Sequence, residues 1–209
     1  CVSSVHGRIS AYLEDKNCSK VAGVFFDKRK AFDVVNHHLL IKILHEYFGM
    51  DDSLVLLIRS FLSGRKQRVR IGKCFSTWRD VRSGVAQGTV LGPQLFLFFI
   101  YQLAQIDFSD FCELFLFADD SLLLKPIFSM NDYVVFQNDI NALSTWCSQH
   151  FVTLNYEKCK FIQFSYSNRV TNAPPLFLNE IPLTVVDNYK YLGVVLSQNP
   201  CDWKMHCSY

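Results

Sequence analysis

Residues Leu114–Leu124 read LFLFADDSLLL. Two apolar runs flank a short polar break, the pattern of two buried strands joined by a tight turn. The break sets Asp119 beside Asp120. Aspartate is among the residues least often fully buried without a partner. Two of them at one hairpin tip repel each other unless they face water, donors or a cation. Hard carboxylate oxygens suit a divalent metal such as Mg²⁺. Taken alone, the pair fits an ordinary turn equally well, with Asp supplying turn chemistry. The stretch argues for a hairpin, and the rest of the chain decides what the hairpin is for.

The surrounding chain bounds the answer. Half of its 209 residues are hydrophobic and 15% are aromatic, which suffices for a packed core and argues against disorder. The net charge is only +2, so any nucleic-acid binding must come from local patches. The eight cysteines (Cys1, Cys18, Cys74, Cys112, Cys147, Cys159, Cys201 and Cys207) form no CxxC pair. Their irregular spacing argues against a disulfide framework or zinc ribbon and for reduced thiols in an intracellular protein, nuclear or cytoplasmic. Cys201, His206 and Cys207 lack a fourth ligand for zinc, and His37 and His38 lack partners. The most apolar run, Leu95–Tyr101, is too short to span a bilayer, and no secretory signal is visible. The chain opens mid-pattern without Met and is expected to be a piece of something longer.

Upstream of the hairpin, Val2–Leu13 is weakly periodic and predicts a helix. Val21–Asp27 (VAGVFFD) has strand composition and ends on a carboxylate. Asn36 is placed to cap a helix whose stripe is Leu39, Leu40, Ile43, Leu44, Tyr47 and Phe48, and Gly49 ends it. Asp51 or Asp52 caps the next, with Leu54, Leu57, Ile58 and Phe61 as its stripe. Arg65–Gly72 (RKQRVRIG) alternates and predicts a strand paired with Trp78–Gly84. On it Lys66, Arg68 and Arg70 share one face, either as a solvated edge that blocks aggregation or as a phosphate contact. Ser83–Pro93 (SGVAQGTVLGP) is glycine-rich and runs into a predicted helix, Gln94–Gln105. Its spacing matches neither the P-loop nor the dinucleotide fingerprint.

Downstream, Asn131–Gln149 predicts a helix and Phe161–Ser165 a strand. Pro174–Leu178 and Ile181–Val186 flank Asn179 and Glu180 as a hairpin, and Tyr189–Leu196 (YKYLGVVL) predicts one last strand. The order of elements is α+β, with helices packed on one face of a largely antiparallel sheet.

Five segments stand in one order: FFDKRKAFD at Phe25–Asp33, SGVAQGTVLGP at Ser83–Pro93, FADD at Phe117–Asp120, LNYEKCKFIQF at Leu154–Phe164 and YKYLGV at Tyr189–Val194. In that order and spacing they resemble the reverse transcriptase domain of non-LTR (LINE-like) retrotransposons, from about Val21 to His206. Trp203 and His206 also resemble the family's Trp and His beyond the YLGV strand.

The resemblance implies a polymerase palm over roughly residues 21–196, with the start of a thumb at 197–209. It implies an RNA-directed DNA polymerase using Mg²⁺ or Mn²⁺, an RNA template, a DNA primer and dNTPs, with no membrane. Asp27 takes the place of the first metal-binding aspartate. Asp119 takes that of the main one in the aromatic-Ala-Asp-Asp box, with Asp120 as a supporting ligand. Phe32 falls where the family carries an aromatic gate against a ribose 2′-hydroxyl. Gln87 and Gly88 match the loop along template and incoming nucleotide. Lys158 matches a lysine expected to protonate the leaving pyrophosphate, and Tyr191, Leu192 and Gly193 resemble the primer grip.

The sequence departs from the family in places. Ala86 replaces a usual Pro, Lys28 a usual apolar residue and Arg29 a usual Ser. The basic fingers segment ahead of the first motif, a full thumb and an endonuclease domain are not recognisable in these residues. The alternative reading is therefore an inactive retroelement remnant that at most binds nucleic acid.

Overall fold

All seven residues of β1 (Lys20–Phe26) are buried. The burial follows from position: β1 is the middle strand of a five-stranded sheet, ordered β11-β8-β1-β7-β6. Here β6 is Glu113–Phe117, β7 Asp120–Ile127, β8 Lys160–Phe164 and β11 Thr184–Val185. Every pairing is antiparallel except β11 with β8. The computed structural model describes residues 2–166 and 173–202, so Trp203, His206 and Cys207 lie outside the described residues. Two compact units form: residues 1–29, 106–147 and 154–209 make the first, and residues 30–105 and 148–153 the second.

In the first unit, alternation along β1 sorts its side chains between two faces. Val21 and Phe25 join Leu122, Leu124, Ile162 and Phe164 in a cluster with Val5 and Ile9 of α1 (Val2–Glu14). Toward the other face point Lys20 and, on β8, Gln163, whose amide bonds the Tyr133 hydroxyl of α6 (Asn131–Gln149). The α+β reading holds, with one correction: α1 and α6 cover opposite faces of the sheet. A sheet apolar on both faces has to be covered on both.

The hairpin read from Leu114–Leu124 is present, with a two-residue turn at Ala118 and Asp119 between the paired Phe117 and Asp120. β7 is buried from Ser121 to Ile127, whereas β6 is a half-buried edge strand. The late hairpins differ from expectation. β9 (Phe177–Leu178) pairs β10 (Ile181–Pro182), and the chain then leaves that hairpin so that β11 joins the main sheet. Tyr189–Leu196 is not one strand. It divides into β12 (Asn188–Tyr191) and β13 (Val194–Ser197) around Leu192 and Gly193, both at positive φ (48° and 85°). Gly193 accepts that backbone without a Cβ clash, which lets the two halves of an apolar run fold onto each other.

The second unit is mostly helical. It contains α2 (Ala31–Val34), α3 (His37–Lys42), a π-turn at Ile43–Tyr47, α4 (Asp52–Leu62) and α5 (Leu91–Tyr101), which ends in a 3₁₀ turn. The expected caps are in place: Asn36 accepts from Leu39 N at 3.0 Å and Asp51 from Ser53 N at 2.9 Å. A ribbon joins α4 to α5. In it β2 (Lys66–Gln67) pairs β5 (Arg79–Asp80), and β3 (Arg70–Ile71) pairs β4 (Cys74–Phe75). The ribbon turns at Gly72 and Lys73, so Trp78–Gly84 pairs only through Arg79 and Asp80. Among the described residues no helix is long and apolar enough to cross a membrane.

Gly23 sits at the closest approach of the sheet to its cluster. A Cβ there would stand 3.0 Å from Phe164, 3.1 Å from Leu124 and 3.3 Å from Ile162. Gly23→Val is expected to lower unfolding stability by about 1–3 kcal/mol through overpacking, read as a shifted urea midpoint.

Candidate active site

The site begins as a consequence of strand register. Phe26 is the last residue of β1 and pairs with Ser121 of β7. Continuing the ladder by one step sets Asp27 opposite Asp120, and residues opposite each other in an antiparallel pair share a face. By this register Asp120 falls on the Asp27 side of the sheet, while Asp119 comes with the turn. The charges feel one another: the Asp120 carboxyl is pushed above the ordinary range by burial first, then by Asp119 and Asp27.

Two lysines flank this acidic edge. Lys158 Nζ lies 3.8 Å from Asp27 Oδ2, with most of its side chain exposed. Lys28 points the other way and is only 5% exposed. Its Nζ donates to the Asp119 carbonyl at 2.8 Å and to the Ser121 hydroxyl, and burial drives its pKa down. The sequence flags Lys28 only as a departure from an apolar position. In the fold it ties the carboxylate turn to the end of β1. Asn155 N donates to the Asp27 carbonyl at 2.8 Å, fixing the backbone on the third side.

The β12–β13 hairpin covers the same face. Tyr189 stacks on Phe25 at 4.0 Å between centroids, and Tyr191 lies 5.5 Å from the same ring. Burial pushes both phenols up to about 12, and the Asp120 charge adds to each shift. Tyr191 is therefore buried against the sheet. Leu192 and Gly193, in the hairpin turn, are half-buried and exposed.

The remaining candidates belong to the second unit. Phe32 stacks on Phe96 of α5 at 4.1 Å between centroids, which holds its ring in one orientation. The glycine-rich loop is stitched to the backbone around Phe32: Gly84 N donates to Val35 O and Val85 N to Phe32 O, both at 2.8 Å. Gly84 has φ +83°, and a Cβ on it would fall 2.6 Å from the Asp33 carbonyl, so no other residue fits. Gln87 donates to Asp33 Oδ1 at 3.2 Å, and Gly88 is exposed. Asp33 holds Gln87 in place and was not singled out by the sequence, although it closes the FFDKRKAFD segment. On the ribbon Arg68 and Arg70 lie on one aromatic ring, that of Phe75, and Lys66 is exposed.

A divalent cation suits the first unit's acidic edge on donor chemistry. Hard carboxylates gather there, and Asp120 is destabilised as an anion by burial first and then by the Asp119 and Asp27 charges. Among the described residues, however, no three His, Cys, Asp or Glu side chains are already gathered as a metal cage.

Comparison with known proteins fits this geometry. Among solved structures, apo telomerase from Candida tropicalis superimposes with a TM-score of 0.66 at 13% identity, covering 97% of this chain and 39% of that one. A Candida albicans telomerase in complex with an RNA fragment gives 0.63 at 15%, covering 94% and 33%. At this identity these likenesses are of fold: the chain shares the palm-type α+β arrangement of those structures. Residues 4–196 match the family model described as reverse transcriptase (RNA-dependent DNA polymerase), and the chain belongs to that family. Its relatives are non-LTR mobile elements. The probable RNA-directed DNA polymerase from transposon X-element of Drosophila melanogaster is 31% identical over 91% of this chain and 20% of its own length. The RNA-directed DNA polymerase from mobile element jockey of Drosophila funebris is 30% identical, over 93% and 22%. The Pol polyprotein of the R2 element of Popillia japonica is 30% identical, over 83% and 30%. The chain thus spans about a fifth to a third of the length of these relatives.

The raised Asp120 pKa has a stability consequence. In the unfolded chain this carboxyl titrates near the usual value of about 3.9. In the fold it holds its proton to higher pH, so the folded state loses stability as pH rises from the unfolded value to the raised one, and the full penalty stands above it. Asp120→Asn is expected to melt at a higher temperature than the parent at pH 7. The gap should shrink as pH falls through the raised pKa, which melting curves taken across pH 3–7 check.

Proposed function

We propose that the chain is the palm of an RNA-directed DNA polymerase, joining dNTPs to the 3′-hydroxyl of a DNA primer on an RNA template. The observation that carries this reading is the acidic edge: Asp27 follows β1 and Asp120 opens β7 just beyond the Phe26–Ser121 pair, with Asp119 in the turn, and the Asp27 and Asp119 charges both act on Asp120. Asp27, Asp119 and Asp120 would hold Mg²⁺ or Mn²⁺. When bound, such ions activate the attacking oxygen and stabilise the leaving one.

The chain's own residues supply the rest. Lys158, solvent-exposed with its Nζ 3.8 Å from Asp27 Oδ2, is placed to approach a departing pyrophosphate and to give it charge or a proton. Phe32, its ring held by Phe96, rejects a ribose 2′-hydroxyl by bulk. Gln87 and Gly88 are backbone and amide contacts for the nucleotide and template, with Gln87 aimed by Asp33. Tyr191, Leu192 and Gly193 form the turn that grips the primer. Tyr191 anchors that turn in the core and leaves the exposed Gly193 to meet the strand. Among the described residues no cysteine is in a disulfide, which suits an intracellular site of action.

The test is primer extension on an RNA template with Mg²⁺ or Mn²⁺. Asp27→Asn and Asp119→Asn should each cut extension by about a hundredfold or more, the scale of losing several kcal/mol of charge stabilisation. An equal rate in the wild type and both variants would sink the assignment, and so would no extension at all. If RNA binding persists without extension, the non-catalytic reading takes over. Phe32→Ala should admit ribonucleotides, read as a fall in the dNTP-to-rNTP incorporation ratio. An unchanged ratio would refute Phe32 as the gate.

A further inference from the structure

Every residue from Lys66 to Asp80 is exposed. That is odd for a ribbon carrying Val69 (63% exposed), Ile71 (77%), Phe75 (49%) and Trp78 (56%). A lone two-stranded hairpin is marginal in water, and apolar groups clustered outside a core mark the place of a partner. This ribbon is held by short ladders, by Ser76 N donating to Val69 O at 2.9 Å, and by Ser76 Oγ accepting from Val69 N at 2.9 Å. Its base is rooted by Arg65, which donates to the Leu62 and Gly84 carbonyls.

What the ribbon displays is a series of flat groups. The Arg68 guanidinium lies 3.9 Å from the Phe75 ring centroid and 4.5 Å from that of Trp78, and Arg70 lies 5.5 Å from Phe75. Trp78, Arg68, Phe75 and Arg70 thus alternate ring and cation in one exposed stack. The charge is as lopsided as the shape. Residues 65–82 hold seven of the chain's 21 Lys and Arg but one of its 19 Asp and Glu, so the rest of the chain is net negative. Guarding a strand edge against aggregation would account for the cations. It does not account for two large aromatics, a valine and an isoleucine placed in water among them.

We propose that this ribbon is a platform for single-stranded RNA. Its lysine and arginine heads neutralise phosphates, and Trp78 and Phe75, spaced by Arg68, stack on unpaired bases. Planar aromatic and guanidinium surfaces at stacking distance match nucleobase faces, which a duplex keeps covered and a single strand offers. The choice of RNA as the polyanion rests on the polymerase reading above, whereas the platform rests on the ribbon alone.

Fluorescence anisotropy with a labelled 12-nucleotide RNA, single-stranded or as a duplex, tests it on the 209-residue chain. The wild type should bind the single strand more tightly than the duplex. Trp78→Ala and Phe75→Ala should each weaken single-strand binding about 5- to 150-fold. Trp78→Phe should restore most of the loss, which separates stacking from misfolding. Replacing Lys66 and Arg70 together by Gln should lower the slope of log affinity against log salt by about 1.4. Wild-type affinity in the alanine variants, or equal losses for duplex and single strand, would overturn the platform. Asp119→Asn serves as the divider. If it and the wild type bind RNA alike but neither extends a primer, the polymerase reading falls and the platform stands. If the wild type extends primers while the aromatic variants bind RNA unchanged, the reverse holds.

Discussion

The register between β1 and β7 is the constraint on which the first unit depends. It pairs Phe25 with Leu122 and Phe26 with Ser121, and so delivers Asp27 and Asp120 to one end of one face. A slip of one residue would turn Phe25 and Val21 away from α1 and send Asp27 to the other side of the sheet. The apolar cluster that includes Val21, Phe25, Leu122 and Leu124 resists that slip by burial. The same packing that stabilises the sheet therefore places its acids, and a mutation deep in the cluster acts on the site through register.

Acids collected this way carry a cost, and the fold meets it unevenly. Lys28 donates from beneath to the Asp119 carbonyl and Ser121, while Lys158 approaches Asp27 from solvent. Asp120 has neither contact and stays the destabilised member of the set. On the proposed function, a cation held there would relieve the repulsion that Asp119 and Asp27 place on Asp120, so stability and the proposed role pull opposite ways at this residue. On the ribbon the imbalance has the other sign, and there cations are spaced by aromatic rings instead of acids.

The second unit shows a different way of fixing a loop. Ser83–Gly88 is not held by apolar burial of its own side chains alone. Backbone bonds to Phe32 and Val35, the Ser83 hydroxyl on the Asp33 carbonyl, and the Gln87 amide on the Asp33 carboxylate hold it in place. Gly84 is required because the Asp33 backbone occupies the place where a Cβ would be. The replacement of a usual Pro by Ala86 leaves these bonds intact.

Much was legible in the chain itself. The LFLFADDSLLL hairpin, the strand ending on Asp27, the caps at Asn36 and Asp51, the long helix Asn131–Gln149 and the family all follow from local pattern, because period, caps and motif order are properties of neighbouring residues. Other features required the tertiary structure, for a physical reason: they depend on which distant segments meet. Nothing near Asp120 discloses that the Asp27 charge acts on it, since the register that brings β1 and β7 together is set by burial across 90-odd residues. In YKYLGVVL only Gly193 hints at a turn; the apolar run reads equally as one strand, and the fold shows it doubled back with Tyr189 stacked on the Phe25 ring. Lys28 reads as an anomaly in sequence and becomes a tether only when β7 lies beside it. Arg68 reads as one cation in a row and becomes the spacer between two rings only once the ribbon turns at Gly72.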